Sequence, residues 1–369
     1  MMESLYIHIP FCEKICTYCD FAKEIDSTDK QDAYINALIS EIKIYKAYYD
    51  SLQTIFIGGG TPSILSNENI VKLSQALHEY INMDEIREFT MECNPNDLTL
   101  AKLKTIQSMG VNRLSLGVQT FNDDHLTFLN RTHRAKDVLK AFEAIKTVSF
   151  DSVSVDMLFA LPNQTIEQLK EDLRILSTLN VNHVSYYNLI LEEKTKLYSL
   201  VQKGKVSLLD DELEASMFEL IIDTLTIQGF HHYEISNFCK NNHQGLHNVK
   251  IWQDGDYLGL GVGAHSKYHH KRFYNKRRIK HYIETLNNDQ KPPYETYEYE
   301  PIRDYLLNGF RLLQGINVKD YNHRFKEDIF KRYPVFKQLI DEGFLNYKVP
   351  YLSLSHKGLM YGNAIFGIL

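Results

Sequence analysis

Six times between residues 4 and 228 a short β-rich run gives way to an amphipathic helical stretch. The strand-like runs are SLYIHI (4–9), TIFIGG (54–59), EFTMEC (88–93), RLSLGVQ (113–119), SVSVDMLF (152–159) and HVSYYNLI (183–190). Helical patterns cover roughly 29–49, 66–82, 99–109, 135–147, 165–179 and 210–228. Thr99 and Gly110 stand where an N-cap and the residue past a C-terminus belong, and Ile166, Leu169, Leu173 and Leu176 form one apolar stripe. Alternation of this kind predicts parallel pairing with right-handed crossovers. Six units fall short of the eight of a complete TIM barrel. The expected fold class is therefore α/β, a partial (β/α)6 TIM-like barrel, with a doubly wound open sheet as the alternative.

After about residue 290 the alternation stops. The polar, Pro-containing stretch NNDQKPPYETYEYEP reads as a boundary, dividing a core (1–290) from a small C-terminal domain (291–369). Within that domain VFKQLIDEGFLNYKVPYLSLSHKGLMYGNAIF reads as helix, β-hairpin, helix, a winged-helix-like order. It carries no concentrated basic face, and the whole chain has a net charge of −6, so nucleic acid is not an expected partner. No apolar run approaches the roughly 20 residues that span a bilayer. The start, MMESLYIHIPFC, lacks the basic and apolar regions of a secretory signal. A cytoplasmic location is expected, and with it five cysteines that are reduced thiols or metal ligands rather than disulfides.

The unusual residues collect at the C-terminal ends of the predicted strands, the edge where parallel α/β folds place ligands and catalysis. Cys12, Cys16 and Cys19, spaced C-x3-C-x2-C, follow the first strand. Structural zinc sites use four ligands, commonly paired as C-x2-C, and no second pair exists here; His8 is a poor candidate for the fourth. Thiolates also hold iron–sulfur clusters, and a [4Fe–4S] cube on three cysteines keeps one iron open. GGGTPS (58–63) follows the second strand and offers unobstructed backbone N–H donors. Glu92, Gln119, Arg131 and Asp156 add carboxylates for ammonium and hydroxyl groups and a guanidinium for a carboxylate. A ligand that is both amino acid and nucleoside would use all of them.

These residues resemble the radical S-adenosylmethionine (radical SAM) superfamily. YIHIPFC, IGGGTPS, GVQTFND, LNRTHRA, VDMLFALPNQT, YEISNF, HNVKIW and DYLGLGVGAHS look like its HemN/HemW group, and RDYLLNGFRLLQGI onward resembles that group's C-terminal domain. The resemblance implies a [4Fe–4S] cluster on Cys12, Cys16 and Cys19, with SAM on the open iron. It implies SAM contacts at Tyr6, Tyr18, Gly59, Gly60, Thr61 and Glu92. Gln119, Arg131 and Asp156 match polar positions that contact a second SAM in the oxidase members.

The group holds oxygen-independent coproporphyrinogen III oxidases and haem chaperones. The oxidases continue the motif to a fourth cysteine, where this chain has Phe21, and carry a long N-terminal extension, where eleven residues precede Cys12 here. Both features favour the chaperone, so oxidase activity is not expected. The chaperones carry an H-N-x-x-Y-W haem motif; HNVKIW keeps His247, Asn248 and Trp252 but has Ile251 in place of Tyr. His247 is thus the implied axial ligand, with His243 as a neighbouring candidate, and the motif region spans about 231–268. The basic stretch KYHHKRFYNKRRIKH (267–281) suggests that Lys271, Arg272, Arg277 or Arg278 meets haem propionates. Implied partners are haem, an apo-haemoprotein recipient and an electron donor; a homodimer is compatible, and membrane association is expected only through a partner. Cys93 reads as a core residue and Cys239 as a free thiol.

Overall fold

The structure, a computed structural model, describes residues 2–369. All six expected strands form: β1 (Met2–Ile9), β2 (Thr54–Gly59), β3 (Glu88–Cys93), β4 (Arg113–Gln119), β5 (Ser152–Phe159) and β6 (His183–Asn188). They pair in chain order and all in parallel. The helices after them are α1 (Thr28–Ile44), α2 (Asn67–Tyr80), α3 (Leu100–Ser108), α4 (Ala135–Ile145), α5 (Ile166–Leu176) and α6 (Asp211–Ile227). Four of these starts are set by side chains that satisfy the first free N–H groups. Ser66 accepts from Asn69 N–H at 3.1 Å, Thr99 from Lys102 N–H at 3.2 Å and Asp210 from Leu213 N–H at 2.8 Å. Thr165 and Gln168 cap each other reciprocally.

The sheet extends beyond the six-strand expectation on both sides. β8 (Asn237–Cys239) adds antiparallel to β6, and β7 (His231–Glu234) adds antiparallel to β8. On the far side of β1, β9 (Asp256–Leu260) adds a seventh parallel strand, and β10 (His265–Tyr268), β11 (Lys271–Asn275) and β12 (Tyr294–Tyr297) continue as an antiparallel flap. The order β12-β11-β10-β9-β1-β2-β3-β4-β5-β6-β8-β7 leaves the sheet open, as a partial barrel requires. DYLGL (256–260) was visible in the sequence only as part of a motif, because no helical crossover of the regular kind introduces it.

Each parallel strand has two different faces. Leu5, Ile7, Ile55, Ile57, Phe89, Met91, Leu114, Leu116, Val153, Val155 and Val184 are buried against the helices. The alternate residues are mostly polar, and the register lines them up across the sheet: Ser4 opposite Thr54, Thr54 opposite Glu88, Thr90 opposite Arg113 and Ser154 opposite His183. The helices cover the first face, so the second lines the lumen of the partial barrel.

A second apolar cluster, from Leu306 to Ile365, is separate from the main core. It contains the expected helix (Val335–Asp341), hairpin (Leu345–Lys348, Tyr351–Leu354) and helix (His356–Met360), with Ile316–Asn317 completing a three-stranded sheet. It is joined to the barrel at β7. Ile235 N–H donates to Arg311 O and Leu313 N–H to Tyr233 O, each at 3.0 Å, and Arg311 pairs with buried Glu234 at 2.7 Å. Among the described residues no helix is long and apolar enough to cross a membrane.

One buried carboxyl ties α1 to the loop after β9. Glu41 accepts from Gly261 N–H and Asn275 Nδ2, both at 2.7 Å, and from Tyr282 O–H. Burial outweighs these donors and pushes its pKa from 4.5 up to about 7. The folded state therefore holds the proton more tightly than the unfolded chain, and the carboxyl costs stability as pH rises through that interval. At about 1.4 kcal/mol per pKa unit the loss approaches roughly 3 kcal/mol. Denaturant titrations of wild type and Glu41→Gln at pH 5 and pH 8 should show the variant gaining on wild type at the higher pH; a difference independent of pH would refute the assignment.

Candidate functional site

The cysteine loop is a closed excursion from the C-terminal end of β1. Phe11–Cys12 pairs in parallel with Glu24–Ile25, which closes the base of the loop. Above that base, His8 holds the returning strand. Its Nε2–H donates to Ala22 O at 2.7 Å, and its Nδ1 accepts from Tyr6 O–H at 3.0 Å. Burial lowers the His8 pKa to about 4, so the ring is neutral and one tautomer serves both bonds. His8 is thus a strut, with both ring nitrogens engaged. The opposite wall comes from three consecutive residues of LNRTHRA. Leu129 O accepts from Thr17 N–H at 3.1 Å, Asn130 Nδ2 donates to Ile15 O at 2.8 Å, and Arg131 Nη1 reaches Cys16 Sγ at 3.6 Å.

The glycine run seats the third side. Gly60 N–H donates to Ile9 O and Thr61 N–H to Phe11 O, both at 2.8 Å, and Thr61 Oγ1 lies 3.7 Å from Cys12 Sγ. A Cβ on Gly60 would stand 2.6 Å from Phe11 O and 3.0 Å from Cys12 Sγ. At Gly59, φ is +114° and a Cβ would lie 2.4 Å from the His8 ring. Side chains are excluded at both positions for steric reasons.

The thiols are soft donors with hydrogen-bond donors aimed at two of their sulfurs, the kind of surround that tunes a thiolate-held metal. Burial raises the Cys12 pKa to about 11 and also raises that of Cys19, with Cys16 adding to both shifts. Among the described residues no three Cys, His, Asp or Glu side chains stand as a ready ligand shell. Holding a metal there requires that the thiols lose their protons. The donor set fits a cluster held by Cys12, Cys16 and Cys19. Tyr18 packs beside the leucine cluster that includes Leu129, Leu158 and Leu197.

The expected polar residues converge on the same mouth. Glu92 accepts from Gly59 N–H at 3.0 Å, and burial, with nearby Asp156, raises its pKa to about 8. Asp156 accepts from Ser115 Oγ at 2.9 Å, and burial raises its pKa as well. Arg131 Nη2 donates to Gly117 O at 2.6 Å and to Asn94 Oδ1, while its Nε is buried without a partner among the described residues. Gln119, left-handed at φ +73°, ends β4 beside it. Asn94, Asn130 and Ser115 belong to this set without being singled out in the sequence; Asn130 lies inside LNRTHRA and Asn94 just past the third strand.

His247 lies at the other end of the lumen, where the strands begin. It sits on α7 (Leu246–Trp252), whose first N–H groups, those of Leu246 and His247, donate to the Glu88 carboxylate at 2.8 and 2.9 Å. The imidazole is 2 % exposed and its Nδ1 meets Thr54 Oγ1 at 2.9 Å. Burial alone lowers its pKa to about 3. With Asn248 it lines a narrow polar cavity of about 50 Å³ that also takes in Glu88, Glu92, Arg113, Asp156 and His183. His243 offers its backbone carbonyl to Arg113 at 3.3 Å. Trp252 packs under the Arg311 guanidinium, 4.4 Å from ring centroid to Cζ, at the joint with the second apolar cluster. The basic stretch does not form one face. Lys271 lies at a hairpin tip near the strand starts, Arg272 pairs with Asp304 at 3.3 Å, and Arg277 approaches Asp20 of the cysteine loop at 3.8 Å. Phe21, also in that loop, is 65 % exposed.

Residues 6–176 match the Radical SAM superfamily model and residues 299–361 the HemN C-terminal domain model. A protein of Bacillus subtilis (strain 168) named "Heme chaperone HemW" is 39% identical over 99% of this chain and 98% of its own length. A protein of Lactococcus lactis subsp. lactis (strain IL1403) with the same name is 35% identical over 99% and 96%. The solved coproporphyrinogen III oxidase HemN of Escherichia coli superposes with a TM-score of 0.84 over 100% of this chain and 89% of that one, at 22% identity, which establishes a common fold.

If Arg131 and Asn130 hold the loop in shape for a metal, removing them should lower metal capture without unfolding the barrel. Iron and sulfide assays after anaerobic reconstitution should find Arg131→Met and Asn130→Ala retaining less cluster than wild type, by about tenfold in apparent metal affinity. Full loading in both variants would reduce the fastening to a packing detail.

Proposed function

We propose that this chain, which belongs to the radical SAM superfamily and within it to the HemW family, is a haem chaperone that binds haem and delivers it to apo-haemoproteins. The observation that carries the proposal is the likeness, across 99% of the chain, to relatives named for that role. Phe21 supports it against the oxidase alternative, since the position that would be a fourth cysteine is an exposed aromatic side chain.

In this proposal Cys12, Cys16 and Cys19 hold a [4Fe–4S] cluster. When bound, the cluster supplies single electrons and an open iron for the amino and carboxylate groups of SAM. Gly59, Gly60 and Thr61 border the SAM site, with the two glycines allowing the backbone to pack closely against His8 and Cys12. Tyr6 and Tyr18 border the same site, and Glu92, held by Gly59 N–H, faces the ligand's polar groups. Gln119, Arg131 and Asp156 extend the polar surface into the lumen. Burial raises the proton affinity of both carboxyls, and Glu92, at about 8, can donate as well as accept hydrogen bonds.

His247, Asn248 and Trp252 are proposed to serve haem after α7 leaves its seat on Glu88 and Thr54, since the imidazole is enclosed while that seat is filled. We further propose an electron donor that reduces the cluster, an apo-haemoprotein as recipient, and the cytoplasm as the location; five unpaired cysteines agree with a reducing compartment.

Reconstituted protein given coproporphyrinogen III, SAM and a reductant is expected to release no protoporphyrinogen. The same preparation is expected to bind haemin with a shifted Soret band and to pass it to an apo-haemoprotein. Formation of protoporphyrinogen would overturn the chaperone proposal in favour of the oxidase. A colourless protein that takes up zinc alone would overturn the cluster.

A further inference from the structure

The flap β10–β12 presents a second group of chemistry-bearing side chains, which the cluster and SAM proposals leave unused. Register places His265 opposite Tyr274, Lys267 opposite Arg272, and Arg272 opposite Tyr297. His265, Arg272, Tyr274 and Tyr297 therefore share one face of the flap. Through the pairing of Lys267 with Tyr257, and of Tyr257 with Ser4, that face continues the lumen face of β9 and β1.

His265 is the exposed imidazole of this surface. Its ring stacks on Tyr274 at 5.1 Å and 20° and meets the edge of Tyr297 at 5.9 Å. Its Nδ1 lies 3.3 Å from Tyr297 Oη, whereas Nε2 makes no hydrogen bond among the described residues. A metal-ligating histidine has this arrangement, with one nitrogen oriented by a neighbour and the other free. His247 also has one ring nitrogen held, Nδ1 by Thr54, but it is enclosed and no aromatic hydroxyl orients it.

The charges around His265 are mixed. Arg272 is paired with Asp304 at 3.3 Å and Lys276 with Glu295 at 3.1 Å. Arg277 is looser: 3.8 Å from Asp20 and 50% exposed, it keeps donors for another anion. Burial and the two arginines hold the His265 pKa below its ordinary value, so a neutral imidazole is available for ligation near neutral pH. Arg277 joins this group to the cysteine loop.

We infer that His265 is an axial ligand of bound haem, with Tyr274 and Tyr297 as its aromatic surround and Arg277 as a propionate partner. The inference rests on the haem-binding proposal above and names the residue that takes haem while α7 remains seated.

Haemin titrations of the reconstituted protein, followed by the Soret band and by low-temperature EPR, test it. His265→Ala is expected to weaken haem binding by about tenfold or more, and Tyr297→Phe by less. His265→Met should still bind but with a changed EPR signal, because a thioether replaces the imidazole. Circular dichroism and cluster absorbance of each variant report its folding. Wild-type affinity and an unchanged EPR signal in both His265 variants, with loss in His247→Ala, would overturn the assignment and leave the chaperone proposal standing. A wild-type protein that binds no haemin would overturn both.

Discussion

A parallel sheet covered by helices is usually apolar on both faces. Here the lumen face carries Glu88, Glu92, Arg113, Ser115, Ser154, Asp156 and His183, and the rest of the structure follows from the need to satisfy them. Buried polar groups are tolerable only when paired or wet. At the strand starts the pairing is internal. Arg113 donates to Ser152 at 2.8 Å, His183 bridges Ser154 and Tyr233, and Glu88 caps α7. At the strand ends it is incomplete: Arg131 Nε has no partner among the described residues, and Asp156 adds to the raised proton affinity of buried Glu92. One end is therefore a finished plug and the other is a surface prepared for a polar ligand.

The cysteine loop shows how a flexible segment is held at that prepared end. Burial disfavours the ionised forms of Cys12 and Cys19, and the neighbouring Cys16 adds to both effects. The protein answers with anchors from three separate strand ends: His8 from β1, the Gly60–Thr61 turn after β2, and Leu129 to Arg131 after β4. Each anchor fixes backbone or orients a donor on sulfur, and none replaces a sulfur as ligand. This leaves the thiols free to move toward a metal while the loop remains attached to the barrel.

The six strands and their helices were legible because each combines a period-two or 3.6-residue pattern with caps such as Thr99, Thr165 and Asp210. The cysteines and glycines were legible as local motifs. The anchors were not, since His8 reaches Ala22 and Asn130 reaches Ile15 across separations that only the folded chain closes. The polar lumen was readable in principle. Ser4, Tyr6 and His8, then Arg113, Ser115 and Gly117, alternate with apolar residues in the sequence, but alternation alone does not tell a face that lines a lumen from one that meets solvent. β9 and the flap escaped because strand pairing set by a neighbour rather than by a crossover helix leaves no periodic signature.

The motif at 247–252 is the clearest case of residues whose local pattern and tertiary setting say different things. Its histidine faces Thr54 in the lumen, its backbone N–H groups are held by Glu88, and its tryptophan lies under Arg311 from the C-terminal unit. Arg311 is in turn paired with Glu234, which is 0% exposed. Withdrawing α7 from the barrel would expose the Glu88 carboxylate, strip Trp252 of its cation and load the Arg311–Glu234 pair at once. These contacts lie in one continuous chain from the lumen to the second apolar cluster, so the motif cannot open without moving the joint between them. On the proposed function, movement of the C-terminal unit would be the physical means by which His247 becomes available, whereas the exposed face around His265 would need no such movement.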